Sequence, residues 1–150
     1  MTEIALGARI VAIARGWIGT PYHHQASCRG VGTDCLGLVR GIYRDVTGRD
    51  VDVQTNYTRD WAEASGIETM LAGARAHLGE IDISDLAPGD VVVFRLRHGF
   101  VAKHVGIVAT ATTMIHAMES CAVAEVALSP WWRRHIAGAF RFPDIQIDGA

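Results

Sequence analysis

Around Leu86-Ala87-Pro88-Gly89-Asp90 the apolar pattern of this chain changes period, and that change restricts the fold more than any other feature of the sequence. Ahead of it the spacing is helical. Leu6, Ile10, Ile13, Ala14 and Trp17 fall on one stripe and predict a helix over 3–15 that stops before Gly16 and Gly19. Leu38, Val39, Ile42, Tyr43 and Val46 mark a second helix, opened by Cys35 and stopped by Gly48. Residues 50–57 read as extended and polar, and 58–78 as mostly helical with a break at Gly66. Beyond the Pro-Gly turn the runs are short and β-branched: strands are expected over 91–94, 104–109, 113–117, 121–127 and 136–142. One helical turn over 129–134 separates the last two, and 143–150 reads as a frayed tail. Helices first and an antiparallel sheet of about five strands afterwards is the order of an α+β domain.

At 150 residues the chain is expected to form one domain around one core. Its net charge of −2 gives no nucleic-acid footprint. The N-terminus meets Glu3 and Arg9 early, without the basic-then-apolar order of a secretory signal, so synthesis and folding in the cytoplasm are expected. No apolar run approaches the roughly eighteen residues of a membrane span. Cys28, Cys35 and Cys121 make an odd count, expected to remain thiols rather than to form a disulfide framework.

Chemistry concentrates at Gly32-Thr33-Asp34-Cys35. Thr33 and Asp34 are N-cap types, so Cys35 falls in the first turn of its helix, where unpaired N–H groups and the helix dipole favour an anion and lower a thiol below its free value of about 8.5. The plain alternative is a small buried hydrophobe. A nucleophile needs a base, and His104 and His116 flank Ala109-Thr110-Ala111-Thr112, a hairpin turn centred on 110 that sets the two histidines opposite each other on one face. A slip of one step would leave them diagonal on that face. His104 then serves as the base, with His116 accepting a hydrogen bond that fixes its tautomer, and an imidazolium–thiolate pair is expected at neutral pH. The competing readings are two structural strand histidines, or a metal site with a cysteine, for which the short ligand spacings are missing.

Gly32-Thr33-Asp34-Cys35-Leu36-Gly37-Leu38, Leu86-Ala87-Pro88-Gly89-Asp90-Val91-Val92-Val93-Phe94, Lys103-His104-Val105-Gly106-Ile107-Val108 and Met114-Ile115-His116-Ala117, in that order, resemble the successive motifs of the NlpC-type cell-wall cysteine peptidases, which have papain-like folds. The closing Trp131-Trp132-Arg133-Arg134 and Ala139-Phe140-Arg141-Phe142-Pro143 resemble the subgroup found in tail-gene clusters of phages and gene transfer agents. The resemblance implies an endopeptidase on peptidoglycan stem peptides, typically between γ-D-glutamate and meso-diaminopimelate, with Cys35 as nucleophile, His104 as base and His116 as third polar member. It implies no metal or organic cofactor, tail proteins as partners, and a place in a phage-like particle that opens the wall locally. Tyr22 matches a tyrosine near the oxyanion position, and Asp34 an acidic residue that in some members holds a substrate amine. Many members carry serine directly after the cysteine, where this chain has Leu36. That departure leaves cleavage within intact cross-linked wall at least as consistent as a requirement for a free N-terminal alanine. The same chemistry would also suit a related amidase or acyltransferase, and a silent tail plug or adaptor would keep only the fold.

His23 and His24 adjoin Tyr22 and either rim a groove or are solvated. Cys28 is read as a bystander in preference to a redox partner, Cys121 as a core residue opening a strand, and His98 as an exposed turn residue. His77 and His135 are placed at helix ends, where a cation is mildly favoured, and one of Trp131 and Trp132 is expected to pack under the sheet.

Overall fold

The computed structural model describes residues 2–51, 69–97, 99 and 101–143. The expectations for 52–57, for the helix before Thr69 with its break at Gly66, for His98 and for the tail from 144 lie outside the described residues.

Helix α1 spans Glu3–Arg15, with the Thr2 hydroxyl accepting from Ala5 N–H at its start. A two-stranded ribbon follows, β1 (Ser27–Cys28) with β2 (Gly32–Thr33), and leads into α2, Cys35–Thr47. The polar loop of the sequence reading thus contains a small ribbon of its own. The Asp34 carboxylate caps α2 by accepting from Gly37 N–H at 2.7 Å, worth about 1 kcal/mol. Gly48 ends the helix in the left-handed conformation at φ 72°, its N–H bonded to Arg44 C=O. Helix α3 covers Thr69–His77.

The main sheet has six strands rather than about five. They are β3 (Gly79–Ile81), β4 (Val91–Phe94), β5 (His104–Val108), β6 (Thr113–His116), β7 (Ala124–Ala127) and β8 (Ile136–Arg141), in the spatial order β3-β8-β4-β5-β6-β7 and antiparallel throughout. The addition, β3, is too short and too polar to show a strand period. A short helix, α4 (Pro130–Arg134), joins β7 to β8.

All four residues of β4 are buried because both sheet faces are covered. Val91 and Val93 face α1 and α2 in a core with Leu6, Ile10, Ala14, Trp17, Leu38, Ile42, Ile107 and Phe140. Val92 and Phe94 face the other way, with Val108, Met114 and Leu128, and Trp132 of α4 closes that second cluster. The turn before β4 is fixed by Asp90, which is 2% exposed and accepts from both Nε and Nη2 of Arg141 at 2.9 Å.

One expectation is corrected here. Cys121 does not open a strand in the core: it is exposed in a turn after Ser120, which sits at φ 68°, and β7 begins three residues later at Ala124. The left-handed turn keeps 121 out of the sheet.

Gly37 sets how closely α2 approaches β1, since a Cβ there would run into the Ala26 carbonyl and lie 2.7 Å from Thr33 Oγ1. Backbone cannot swing aside as a side chain can. Gly37→Ala is therefore expected to destabilise the domain by about 2 kcal/mol, read as a lowered thermal or denaturant midpoint; an unchanged midpoint would contradict this packing.

Candidate active site

Cys35 occupies the first position of α2 and is half-buried, its sulfur packed where that helix start meets β5. The thiol lies 4.0 Å from the Lys103 carbonyl, and the N–H groups of Val105, Leu36 and Cys35 itself point at it. Lys103 and Val105 flank His104, so the sulfur is docked against the stretch of strand that carries the proposed base.

The register explains why this edge is open. Val108 N–H bonds Asp90 C=O toward β4, whereas Ala109 N–H bonds Thr113 C=O toward β6. Alternation then turns the N–H of Val105 toward β6 as well. Pairing between β5 and β6 is confined to Ile107↔Ile115 and Val108↔Met114, leaving the start of β5 available to the helix end.

The hairpin expectation needs one adjustment. The turn holds Thr110, Ala111 and Thr112 between Ala109 and Thr113, so it is centred on 111, and His104 lies diagonal to His116 instead of directly opposite. Ala109 continues the pairing, its N–H bonding Thr113 C=O, so the turn begins one residue later than expected. The shift moves partners by two positions and so preserves the face. Gly106 now stands opposite His116, and a Cβ there would come within 3.4 Å of the His116 Cβ. Without it the His116 ring leans toward its diagonal neighbour, and His104 Nε2 and His116 Nδ1 meet at 2.9 Å. With Nε2 engaged in that bond, Nδ1 is the remaining ring nitrogen of His104.

Both histidines are buried, at 6% and 5% exposure. In register opposite Phe94, with ring centroids 5.8 Å apart, His104 shares the sheet face of the second cluster. Trp132 reaches both rings, at 5.6 Å from His104 and 5.3 Å from His116. The sequence reading allowed one of the two tryptophans under the sheet. It had no signal that this indole would meet the histidines, because the contact depends on the placement of α4.

The electrostatics differ from expectation. Burial, then the Asp34 carboxylate, push the Cys35 thiol up to about 12, against the pull of the three N–H groups. The helix start alone predicts the opposite direction; enclosure of the sulfur and the capping anion next to it prevail. Burial, together with neighbouring His116, pushes His104 down to about 3, and burial lowers His116 as well. These shifts favour a neutral thiol and neutral imidazoles over the ion pair expected from the sequence.

Asp34 is 3% exposed, with Oδ1 on Gly37 N–H and Oδ2 accepting from Gln25 N–H at 2.8 Å. A substrate amine at this carboxylate would share Oδ2 with the Gln25 bond. The His24 Nδ1 is 4.0 Å from the same oxygen. Tyr22 bridges Thr33 through its backbone, two residues ahead of Cys35, and packs on the main core. His23 is exposed, with its ring over Gly32. Cys28 is exposed on β1, His77 meets the Tyr43 ring edge-on, and the His135 ring stacks on Trp131 at 4.1 Å.

A first-turn thiol packed on an antiparallel sheet that carries a hydrogen-bonded histidine pair is the arrangement of a papain-like α+β domain. The chain belongs to the NlpC/P60 family, whose profile matches residues 19–141. It is 33% identical over 128 residues to the probable endopeptidase NlpC of Escherichia coli K12, covering 85% of this chain and 72% of that protein. It is 27% identical to the gamma-DL-glutamyl hydrolase of Bacillus subtilis, covering 92% of this chain but only 30% of that longer protein. Among solved structures, the NlpC/p60 domain of the peptidoglycan hydrolase SagA superposes with a TM-score of 0.66 at 26% identity, over 91% of this chain and 98% of the domain.

The buried neutral imidazole has a consequence for stability. Between about 3 and the ordinary value near 6.5 the unfolded state binds the proton that folded His104 refuses, so stability rises with pH across that window and is lost as pH falls through it. Thermal midpoints should therefore drop on acidification below pH 6.5, and drop less in His104→Asn. Equal pH dependence in both proteins would contradict the buried neutral assignment.

Proposed function

We propose that this chain is a cysteine peptidase that cuts the stem peptides of peptidoglycan, with the bond between γ-D-glutamate and diaminopimelate as its favoured target. The observation that carries this reading is the Cys35 sulfur lying against the two backbone groups that flank His104, while His104 Nε2 is hydrogen-bonded to His116. Family membership and the names of the relatives support the substrate class.

In the acylation step the Cys35 thiol passes its proton to His104 Nδ1 as the sulfur attacks the amide carbonyl. With the thiol and imidazole both neutral at rest, transfer accompanies attack instead of preceding it. The Nε2–H bond to His116 Nδ1 stabilises the imidazolium that forms, as the third member of a triad does. Backbone N–H groups at the start of α2, with Tyr22 beside β2, receive the oxyanion, an interaction worth several kcal/mol in a dry site. His104 next protonates the leaving amine. It then takes a proton from water, which attacks the thioester and releases the carboxylate product and the free thiol.

The biological setting we favour is local opening of the wall by a phage-like tail, with the protein made in the cytoplasm, carried in the particle and bound to tail proteins. The terminal Trp-Trp-Arg-Arg and Ala-Phe-Arg-Phe-Pro motifs support it.

Purified protein incubated with peptidoglycan under reducing conditions should release fragments whose masses place the new ends within stem peptides, and Cys35→Ala should release none. Uncut stem peptides across several wall types, or identical products from Cys35→Ala, would overturn the assignment. Cuts between glycan and peptide would identify an amidase.

A further inference from the structure

The Trp132 indole is the one aromatic group that contacts both members of the histidine pair among the described residues. It lies over His104 with the ring planes 32° apart, stands edge-on to His116 at 89°, and has Phe94 at 4.9 Å. Trp131 covers its outer side, edge-on at 5.1 Å. The hydrogen bond between the histidines is thus shut between the sheet and an indole.

The element that carries this indole has five residues, too few to be a stable helix by itself. It is held by its neighbours. The Ser129 hydroxyl accepts from Trp132 N–H, and Leu128 N–H bonds Thr112 C=O. Arg133 donates from Nε to Leu128 C=O at 3.2 Å and from Nη2 to Ala111 C=O at 2.6 Å. Ala111 is the tip of the hairpin whose two strands carry His104 and His116. Arg133 therefore ties the helix that covers the pair to the ribbon that presents it.

We propose that Trp132, latched through Arg133, is a positioning residue that fixes the tautomer of the His104–His116 pair. With water kept from the space between the rings, His104 Nε2–H has His116 Nδ1 as its acceptor. Were water admitted there, it could satisfy either ring in either tautomer, and the proton on His104 would be free to sit on Nδ1, where it blocks uptake from the thiol. The rings that face the pair are Phe94 and Trp132, neither of which titrates. Trp132 touches no reacting atom and acts only through the histidines. This inference rests on the reading of His104 as the base.

The test is a pH titration of histidine ring nitrogens by 15N NMR on the full chain, in wild type, Trp132→Phe, Trp132→Ala and Arg133→Met, with thermal unfolding on the same samples. In wild type His104 should carry its proton on Nε2 and stay neutral well below the ordinary imidazole range. Trp132→Ala should raise the protonation midpoint of the pair toward about 6.5 and mix the tautomers of His104. Trp132→Phe should restore most of the wild-type pattern, and Arg133→Met should shift it in the same direction as Trp132→Ala by a smaller amount. Hydrolysis by Trp132→Ala should lose roughly tenfold in kcat at unchanged KM. Ring-nitrogen titrations that match wild type, with the loss confined to the melting temperature, would reduce Trp132 to a core residue. Should Trp132→Ala not fold, the Phe and Arg133 variants decide between the same outcomes. A wild type with the fixed tautomer and no hydrolysis would instead count against the peptidase reading while leaving the positioning role standing.

Discussion

The 2.9 Å hydrogen bond between His104 and His116 is the contact on which the site depends, and it is a product of strand register. The three-residue turn at 110–112 puts the histidines on one face in diagonal positions, and Gly106 places no side chain against His116, whose Cβ would lie 3.4 Å from a Cβ at 106. Every other part of the site is arranged around that pair. The start of α2 reaches the unpaired edge of β5 beside His104, and α4 closes the opposite side with Trp132. The sheet carries the histidine pair, the start of α2 brings the sulfur to the same strand, and the short helix α4 lays Trp132 against both rings.

Burial has a cost and a use in this arrangement. Enclosing the thiol beside the capping Asp34 disfavours a standing thiolate, and enclosing the imidazoles disfavours a standing imidazolium. A neutral pair needs no counter-ion while the site is empty. In the proposed acylation charge separates only on encounter with an amide, when N–H groups of the helix start face the oxyanion and His116 Nδ1 accepts from the Nε2–H of the imidazolium forming on His104. Asp34 shows the same economy, since one carboxylate caps α2, holds Gln25 N–H in the loop ahead of it, and opposes ionisation of the neighbouring thiol.

Much of this was legible in the residues. Helical spacing from Leu38 to Val46, Asp34 as a cap and Gly48 as a stop located the cysteine helix, because those signals are local. The β-branched runs located β4, β5, β6 and β8, and the parity of 104 and 116 survived a turn centred one residue later than expected. Long-range placement was not legible. The ribbon β1–β2 and the edge strand β3 have too few residues to show a period, and the start of β7 was misplaced by a left-handed residue at Ser120. The direction of the Cys35 shift was misread for the same reason: the helix dipole is visible in sequence, whereas the enclosure of the sulfur by Lys103 and Val105, 68 residues and more away, exists only in the folded chain.

The most direct test of the account is the rate at which a small alkylating reagent modifies Cys35 as a function of pH, compared between wild type and His104→Ala in a background where Cys28 and Cys121 are serine. If the sulfur and His104 form one unit, wild type shows a neutral-pH plateau of base-assisted reaction that vanishes in His104→Ala, which keeps only the alkaline rise of a buried lone thiol. Superimposable profiles for the two proteins would mean that the sulfur does not use that imidazole.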